Sequence, residues 1–212
     1  MERVLIVAKT RMPNNACVGG LLLNTNRSVR LLTGRGSYQP IDTPFNVGEV
    51  WDIAFRTSGE LIPPHIENID VSRARLLGPM PHFLSTLTPR VQPWHGGPSL
   101  LFDNLLTFEG KSAYLSRTNG TPGCSTGYWL PGTALTLDLD YHHGQPYYRV
   151  NYTSESAGNS RPAILYIKYV GFADPIPQIP VGTLVRVSLA HWWMKPGERL
   201  ARCYLQLSGW YL

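Results

Sequence analysis

A chain of 212 residues, 43% hydrophobic and 16% charged, can bury one sizeable core or two small ones, and it is too apolar to stay unfolded. Its formal charge of +5 is a modest excess that favours an anionic partner such as nucleic acid. Three widely separated cysteines, Cys17, Cys124 and Cys203, contain no Cys-x-x-Cys pair, which argues against a zinc or redox dithiol and for a reducing compartment. No run approaches the roughly eighteen apolar residues of a membrane span, so a soluble cytoplasmic protein without membrane attachment is expected.

Twenty glycines and 18 prolines are spread almost evenly, leaving little room for long helices. The expected class is all-β with few short helices. In chain order, alternation and β-branched or aromatic enrichment place strands at 3–8, 28–32, 48–56, 112–116, 133–140, 147–152, 163–171, 182–190 and 200–208. Arg3-Val-Leu-Ile-Val-Ala-Lys9 opens the series, followed by Cys17-Val-Gly-Gly-Leu and Ser28-Val-Arg-Leu-Leu32. Lys9, Arg11, Arg27, Arg30 and Arg35 fall at or near the ends of these segments, where loops display binding residues from a rigid scaffold. Residues 77–99 hold five prolines and no alternation; Pro81 suits the start of a short helix over 81–88 that Pro89 would stop. The expected organisation is a first barrel at 1–78, a Pro-rich linker with that helix at 79–99, and a second barrel at 100–212.

The clearest strand, Thr133–Tyr141, puts Leu135, Leu137, Leu139 and Tyr141 on one face and Thr136, Asp138 and Asp140 on the other. Asp138, Asp140, His142 and His143 are ligand types that could hold a divalent metal, which keeps a metal-dependent nuclease as a minority alternative to the solvent face of a hairpin. The loop Thr118–Gly127 lacks the Gly-Lys-Ser/Thr ending of a phosphate-binding loop and reads as a hairpin. His191-Trp-Trp-Met-Lys-Pro-Gly reads as a turn displaying Trp192 and Trp193, and the apolar end Cys203–Leu212 as a strand tied into a sheet.

The opening strand ending in Ala-Lys, the Cys17-Val-Gly-Gly-Leu element and Ser28-Val-Arg-Leu-Leu32 resemble the start of the dual OB-containing domain family. Val47-Gly-Glu-Val-Trp-Asp-Ile-Ala-Phe55, Pro64-His-Ile-Glu-Asn68 and Arg202-Cys-Tyr-Leu-Gln-Leu-Ser-Gly-Trp210 extend the resemblance over most of the chain. It implies two tandem small OB-like β-barrels and service in prokaryotic conflict or anti-phage systems. Arg30 is the position that carries over from the strand after the Cys element.

OB barrels bind single strands with a basic groove and aromatics on which bases stack. The aromatics Tyr38, Trp51, Trp94, Tyr128, Trp129, Tyr147 and Tyr148 lie beside Arg27, Arg30, Arg56, Arg117 and Arg149. The expected nucleic-acid-binding set is Lys9, Arg11, Arg27, Arg30, Arg35, Arg56, Trp51 and Arg117. No cofactor motif and no catalytic motif is read, so the expectation is a non-catalytic module for single-stranded nucleic acid or a nucleotide, with a partner protein of the same system. The alternative is a structural subunit that docks onto a larger effector through its aromatics.

Overall fold

The computed structural model describes residues 1–59, 61–142, 144–156 and 159–212. Two compact units divide the chain, Met1–Val91 and Gln92–Leu212. Residues 79–99 hold the last residue of one strand, the short helix α1 (Phe83–Leu87), a 3₁₀ turn at Thr88–Arg90 and the strand Trp94–Gly96. No helix is long and apolar enough to cross a membrane.

Unit 1 contains β1 (Glu2–Arg11), β2 (Asn15–Leu22), β3 (Ser28–Thr33), β4 (Gln39–Pro40), β5 (Glu49–Thr57) and β6 (Asn68–Pro79). Five of them close a ring in the order β1–β2–β3–β6–β5–β1, in which only β3 and β6 run parallel; β4 lies outside on β2. One strand serves two neighbours because β1 pairs with β5 through Glu2–Leu5 and with β2 through Val4–Arg11, its register shifting between Ile6 and Ala8. This is the five-stranded Greek-key closure of an OB barrel. Val4, Ile6, Val18, Leu22, Val29, Leu31, Ile53 and Ile69 fill it. Gly20 faces inward so tightly that a Cβ there would lie 2.4 Å from Val4 Cγ2, leaving no room for a side chain.

Unit 2 contains β7 (Trp94–Gly96), β8 (Leu106–Glu109), β9 (Ser112–Ser116), β10 (Thr126–Pro131), β11 (Leu135–Asp138), β12 (Tyr147–Ser156), β13 (Asn159–Tyr169), β14 (Gln178–Ile179), β15 (Leu184–Leu189) and β16 (Arg202–Tyr211). β10 pairs with β15 and β11 with β12, so the two act as one bent strand interrupted at 132–134. The ring then runs from that strand through β12, β13, β16 and β15 back to β10, with β13 and β16 parallel. Strand order and the parallel pair repeat those of unit 1. The fold is therefore all-β with only short helices, two OB-type barrels in tandem. The β8–β9 hairpin is an addition: β16 gives Arg202–Tyr204 to β9 and Lys168 and Tyr169 of β13 pair with Gln206 and Leu207. Trp129, Tyr148, Leu165, Ile167, Val185 and Leu207 are central to this core, and Trp129 Nε1 donates to the Gly96 carbonyl at 2.9 Å.

The strand expected over 133–140 stops at Asp138. Its Oδ1 accepts the backbone N–H groups of Asp140 at 3.0 Å and Tyr141 at 2.9 Å, a local turn that competes with the ladder. Leu139 and Tyr141 consequently leave the core face and are 47% and 36% exposed.

Candidate nucleic-acid interface

In OB barrels the outer face of the second and third strands, flanked by the loops after the first and fourth, is where oligonucleotides bind. In unit 2 these strands are β12 and β13. Tyr148, Val150, Leu165 and Ile167 belong to the core, so the alternate residues turn outward. The register sets Tyr147 opposite Lys168, Arg149 opposite Tyr166 and Asn151 opposite Ile164, with Thr136 of β11 beside Arg149. Each of the first two cross-strand pairs joins one cation to one aromatic ring, and all four side chains are half-buried.

The loop between β11 and β12 continues this face. Tyr141 stacks on Tyr166 with ring centres 3.8 Å apart and planes at 10°, and meets Tyr147 edge-on at 5.1 Å. His142 lies 6.0 Å from the Tyr147 ring, while Lys111 Nζ stands 5.2 Å above Tyr166 and 5.7 Å above Tyr141. Lys111 reaches this position because its carbonyl accepts the Tyr166 backbone N–H at 2.9 Å. Tyr166 Oη donates to Asp138 Oδ2 at 3.2 Å. Burial pushes the Tyr147 and Tyr166 phenols above their ordinary range, and for Tyr166 the bond to Asp138 adds to it, so both stay neutral donors at physiological pH.

On the other flank, the segment between β15 and β16 returns on itself. Trp193 and Arg202 exchange backbone hydrogen bonds at 3.0 and 2.8 Å. The tip beyond them exposes Trp193, Met194, Lys195, Arg199 and Leu200. Its base is fixed by Arg202, whose Nη1 lies 2.7 Å from Glu109 and Nε 3.1 Å from Glu198, with the guanidinium 4.3 Å from the Tyr114 ring centre.

The family model described as Dual OB-containing domain matches residues 2–210. The chain belongs to the dual OB-containing domain family. No curated protein and no solved structure matches it.

The residues expected to bind in this dual OB protein are dispersed: Arg117 lies in unit 2 and the others in unit 1. Trp51 is in the core of the first barrel, 8% exposed, meeting Phe45 edge-on at 4.7 Å and donating through Nε1 to Glu49 at 2.9 Å. Its ring therefore offers no face to a base. Arg30 turns away from that core yet is 5% exposed, with Nη1 donating to Asn68 Oδ1 at 3.1 Å. Burial opposes its charge, but Cys17, Glu67 and Tyr38 hold the guanidinium above its ordinary pKa, a setting that fixes the cation within the barrel wall.

Lys9 Nζ donates to the Thr43 carbonyl at 2.8 Å, Arg56 Nε lies 3.3 Å from buried Asp70, and Arg117 rests 4.9 Å from the Trp192 ring centre. Arg11, Arg27 and Arg35 are exposed, Arg35 at the β3–β4 turn. Both oxygens of Asp138 serve the turn and Tyr166, and among the described residues no group of three or more His, Cys, Asp or Glu is placed to hold a metal. His143 lies outside the described residues.

Tyr141, Tyr166, Lys168 and Lys111 were not in the expected set. The alternation within 147–151 and 164–168, with Tyr147, Arg149 and Asn151 on one parity and Ile164, Tyr166 and Lys168 on the other strand's matching parity, is the signal that would have found Tyr166 and Lys168.

Proposed function

We propose that this protein is a non-catalytic module that binds single-stranded nucleic acid, or a nucleotide fragment of it, on the outer face of β12 and β13. The observation that supports the reading is the pairing of cation with aromatic across the two strands, Lys168 with Tyr147 and Arg149 with Tyr166. A base stacked on Tyr147 gains roughly 1–3 kcal/mol, and a phosphate beside Arg149 or Lys168 adds a salt-dependent term. In this reading the protein works in the cytoplasm as part of a prokaryotic conflict or anti-phage system. Fluorescence anisotropy with labelled single-stranded DNA and RNA at two salt concentrations tests it. Salt-sensitive binding that falls in Tyr147→Ala is expected; no binding at micromolar protein removes the reading.

The second reading is docking onto a partner protein of the same system, supported by the exposed Trp193, Met194 and Leu200, 50%, 58% and 51% exposed at one loop tip. Stoichiometric co-purification of a neighbouring gene product that is lost in Trp193→Ala favours it over the first.

A further inference from the structure

The outer face of β1, β5 and β6 in unit 1 carries a stripe of arginines. Register places Arg3 opposite Asp52 and Asp52 opposite Arg75, with Ala54 opposite Arg73 in the next row and Arg56 opposite Asp70 beyond. Ile53 points into the core, so Asp52 and Ala54 on either side of it turn outward and bring their partners with them. Arg3, Arg56, Arg73 and Arg75 are all exposed. Asp52 accepts from Arg75 at 2.7 Å and Asp70 pairs with Arg56 at 3.3 Å. Arg3 and Arg73 have no side-chain partner among the described residues, so four guanidiniums meet two carboxylates and the stripe keeps an excess of two positive charges.

We propose that this stripe is a contact for the phosphate backbone of nucleic acid, one that holds without reading bases. Arginine forks match phosphate oxygens in two-point geometry, and every cation of the stripe is an arginine. On one face of a sheet, side chains recur about every 6.8 Å along a strand and about 4.8 Å between strands, a spacing that lets Arg3, Arg75 and Arg73 meet successive phosphates, with Arg56 beyond the register shift between Ala54 and Phe55. Ala54 keeps the centre of the stripe low, and no aromatic side chain from these rows offers a base a stacking surface. The contact is accordingly indifferent to sequence and to strandedness. It is independent of the β12–β13 reading, since it requires no stacking and no residue of unit 2.

The test uses the full chain and a fluorescein-labelled mixed-sequence DNA duplex, titrated by anisotropy across a salt series. The wild type is expected to bind the duplex, and the neutral double variant Arg3→Gln/Arg73→Gln to show a salt slope shallower by about 1.8, two contacts at about 0.9 each. The reversed pair Arg3→Glu/Arg73→Glu is expected to lose about tenfold or more in affinity at low salt. If the reversed pair melts at a lower temperature than the wild type, the neutral pair carries the comparison. Tyr147→Ala is expected to leave duplex binding unchanged, which separates this contact from the stacking face. Failure of the wild type to bind duplex, or an unchanged slope in the neutral pair, overturns the proposal; displacement by polyglutamate as effective as by unlabelled duplex overturns it in favour of an acidic peptide.

Discussion

In the first barrel, β3 turns Arg30 and Leu32 away from the core and keeps them 5% and 4% exposed; in the second, β12 and β13 turn Tyr147, Arg149, Tyr166 and Lys168 away and leave them half-exposed. The strand order is the same, so the closure of the ring does not decide what the strands display. What differs is the chemistry on the outward parity. Arg30 is the only cation on its strand and is already bound to Asn68, whereas Arg149 and Lys168 each stand beside a ring. A fold carries many functions because its inward residues fix the barrel while its outward residues are free to vary.

The largest effect that separates the two is expected from one aromatic in each. Trp51→Ala removes a ring packed on Phe45 in the first core and is expected to cost about 3–5 kcal/mol of stability, read from urea unfolding. Tyr147→Ala is expected to leave stability within about 1 kcal/mol and to weaken single-strand binding by roughly 1–3 kcal/mol. A Trp51→Ala protein that unfolds with wild-type midpoint but fails to bind would reverse the assignment.

The difference was only partly legible in the sequence. Segments with period-two alternation, such as 3–8, 28–32 and 112–116, correspond to β1, β3 and β9. β2, β6 and β10 escaped the alternation reading for separate physical reasons. In β2, Gly20 stands where the inward hydrophobe between Val18 and Leu22 would have marked the period, because Val4 and Leu31 fill that space. In β6, residues 72–77 are exposed on both parities, so no apolar rhythm exists to detect. In β10, Gly127 sits under the Trp94 ring, where a Cβ would lie 2.2 Å from Cζ3. At the candidate site, Tyr147 and Arg149 stand in the sequence among the aromatics and cations that suit a binding face, but Tyr141 shares the parity of Leu135, Leu137 and Leu139, because the turn made by Asp138 is not a periodic signal. Trp51 and Arg30 looked like ligand contacts since residue type does not report burial, which the closure of the ring decides.

Alkaline pH is expected to strain the second barrel first. Burial pushes the Cys203 thiol up to about 12 from 9.0 and the Tyr148 phenol up to about 12 from 10.0. Up to about pH 8 both groups are protonated in either state, so they add little pH dependence there. Above it the unfolded chain loses these protons while the folded barrel keeps them; the unfolded state then binds fewer protons and stability falls as pH rises toward 12, by a few kcal/mol in all. In unit 1 the corresponding upward shift falls on Tyr38. Melting temperatures at about pH 8 and about pH 10.5 check this, with Cys203→Ala expected to lose less between them than the wild type. Equal losses would show that the thiol does not contribute.

A smaller contrast concerns the two cations Arg149 and Arg30. Arg149→Ala is expected to flatten the salt slope for a single strand by about 0.7 and leave the melting temperature near wild type. Arg30→Ala is expected to leave the slope unchanged and to destabilise by about 1–3 kcal/mol, because Glu67, 8% exposed, loses the cation that compensates it. A flattened slope in Arg30→Ala would return that residue to the binding surface.

The smallest effects are expected where unit 1 meets solvent, and they rank by the burial of the acid partner, not of the arginine. Arg56 and Arg75 have 76% and 70% exposed side chains, but Asp70 is 5% exposed and Asp52 18%. Removing Arg56 leaves a buried carboxylate whose Oδ1 already has no hydrogen-bond partner, so Arg56→Ala is expected to cost about 1–2 kcal/mol. Removing Arg75 leaves Asp52 free to hydrate, so Arg75→Ala is expected to cost no more than about 0.2–1 kcal/mol, and less at high salt. Urea midpoints of the two variants at low and high salt decide it: a loss in Arg75→Ala as large as that in Arg56→Ala, and insensitive to salt, would show that the outer sheet of the first barrel depends on its surface pairs and cannot be treated as a scaffold whose arginines are spare for a ligand.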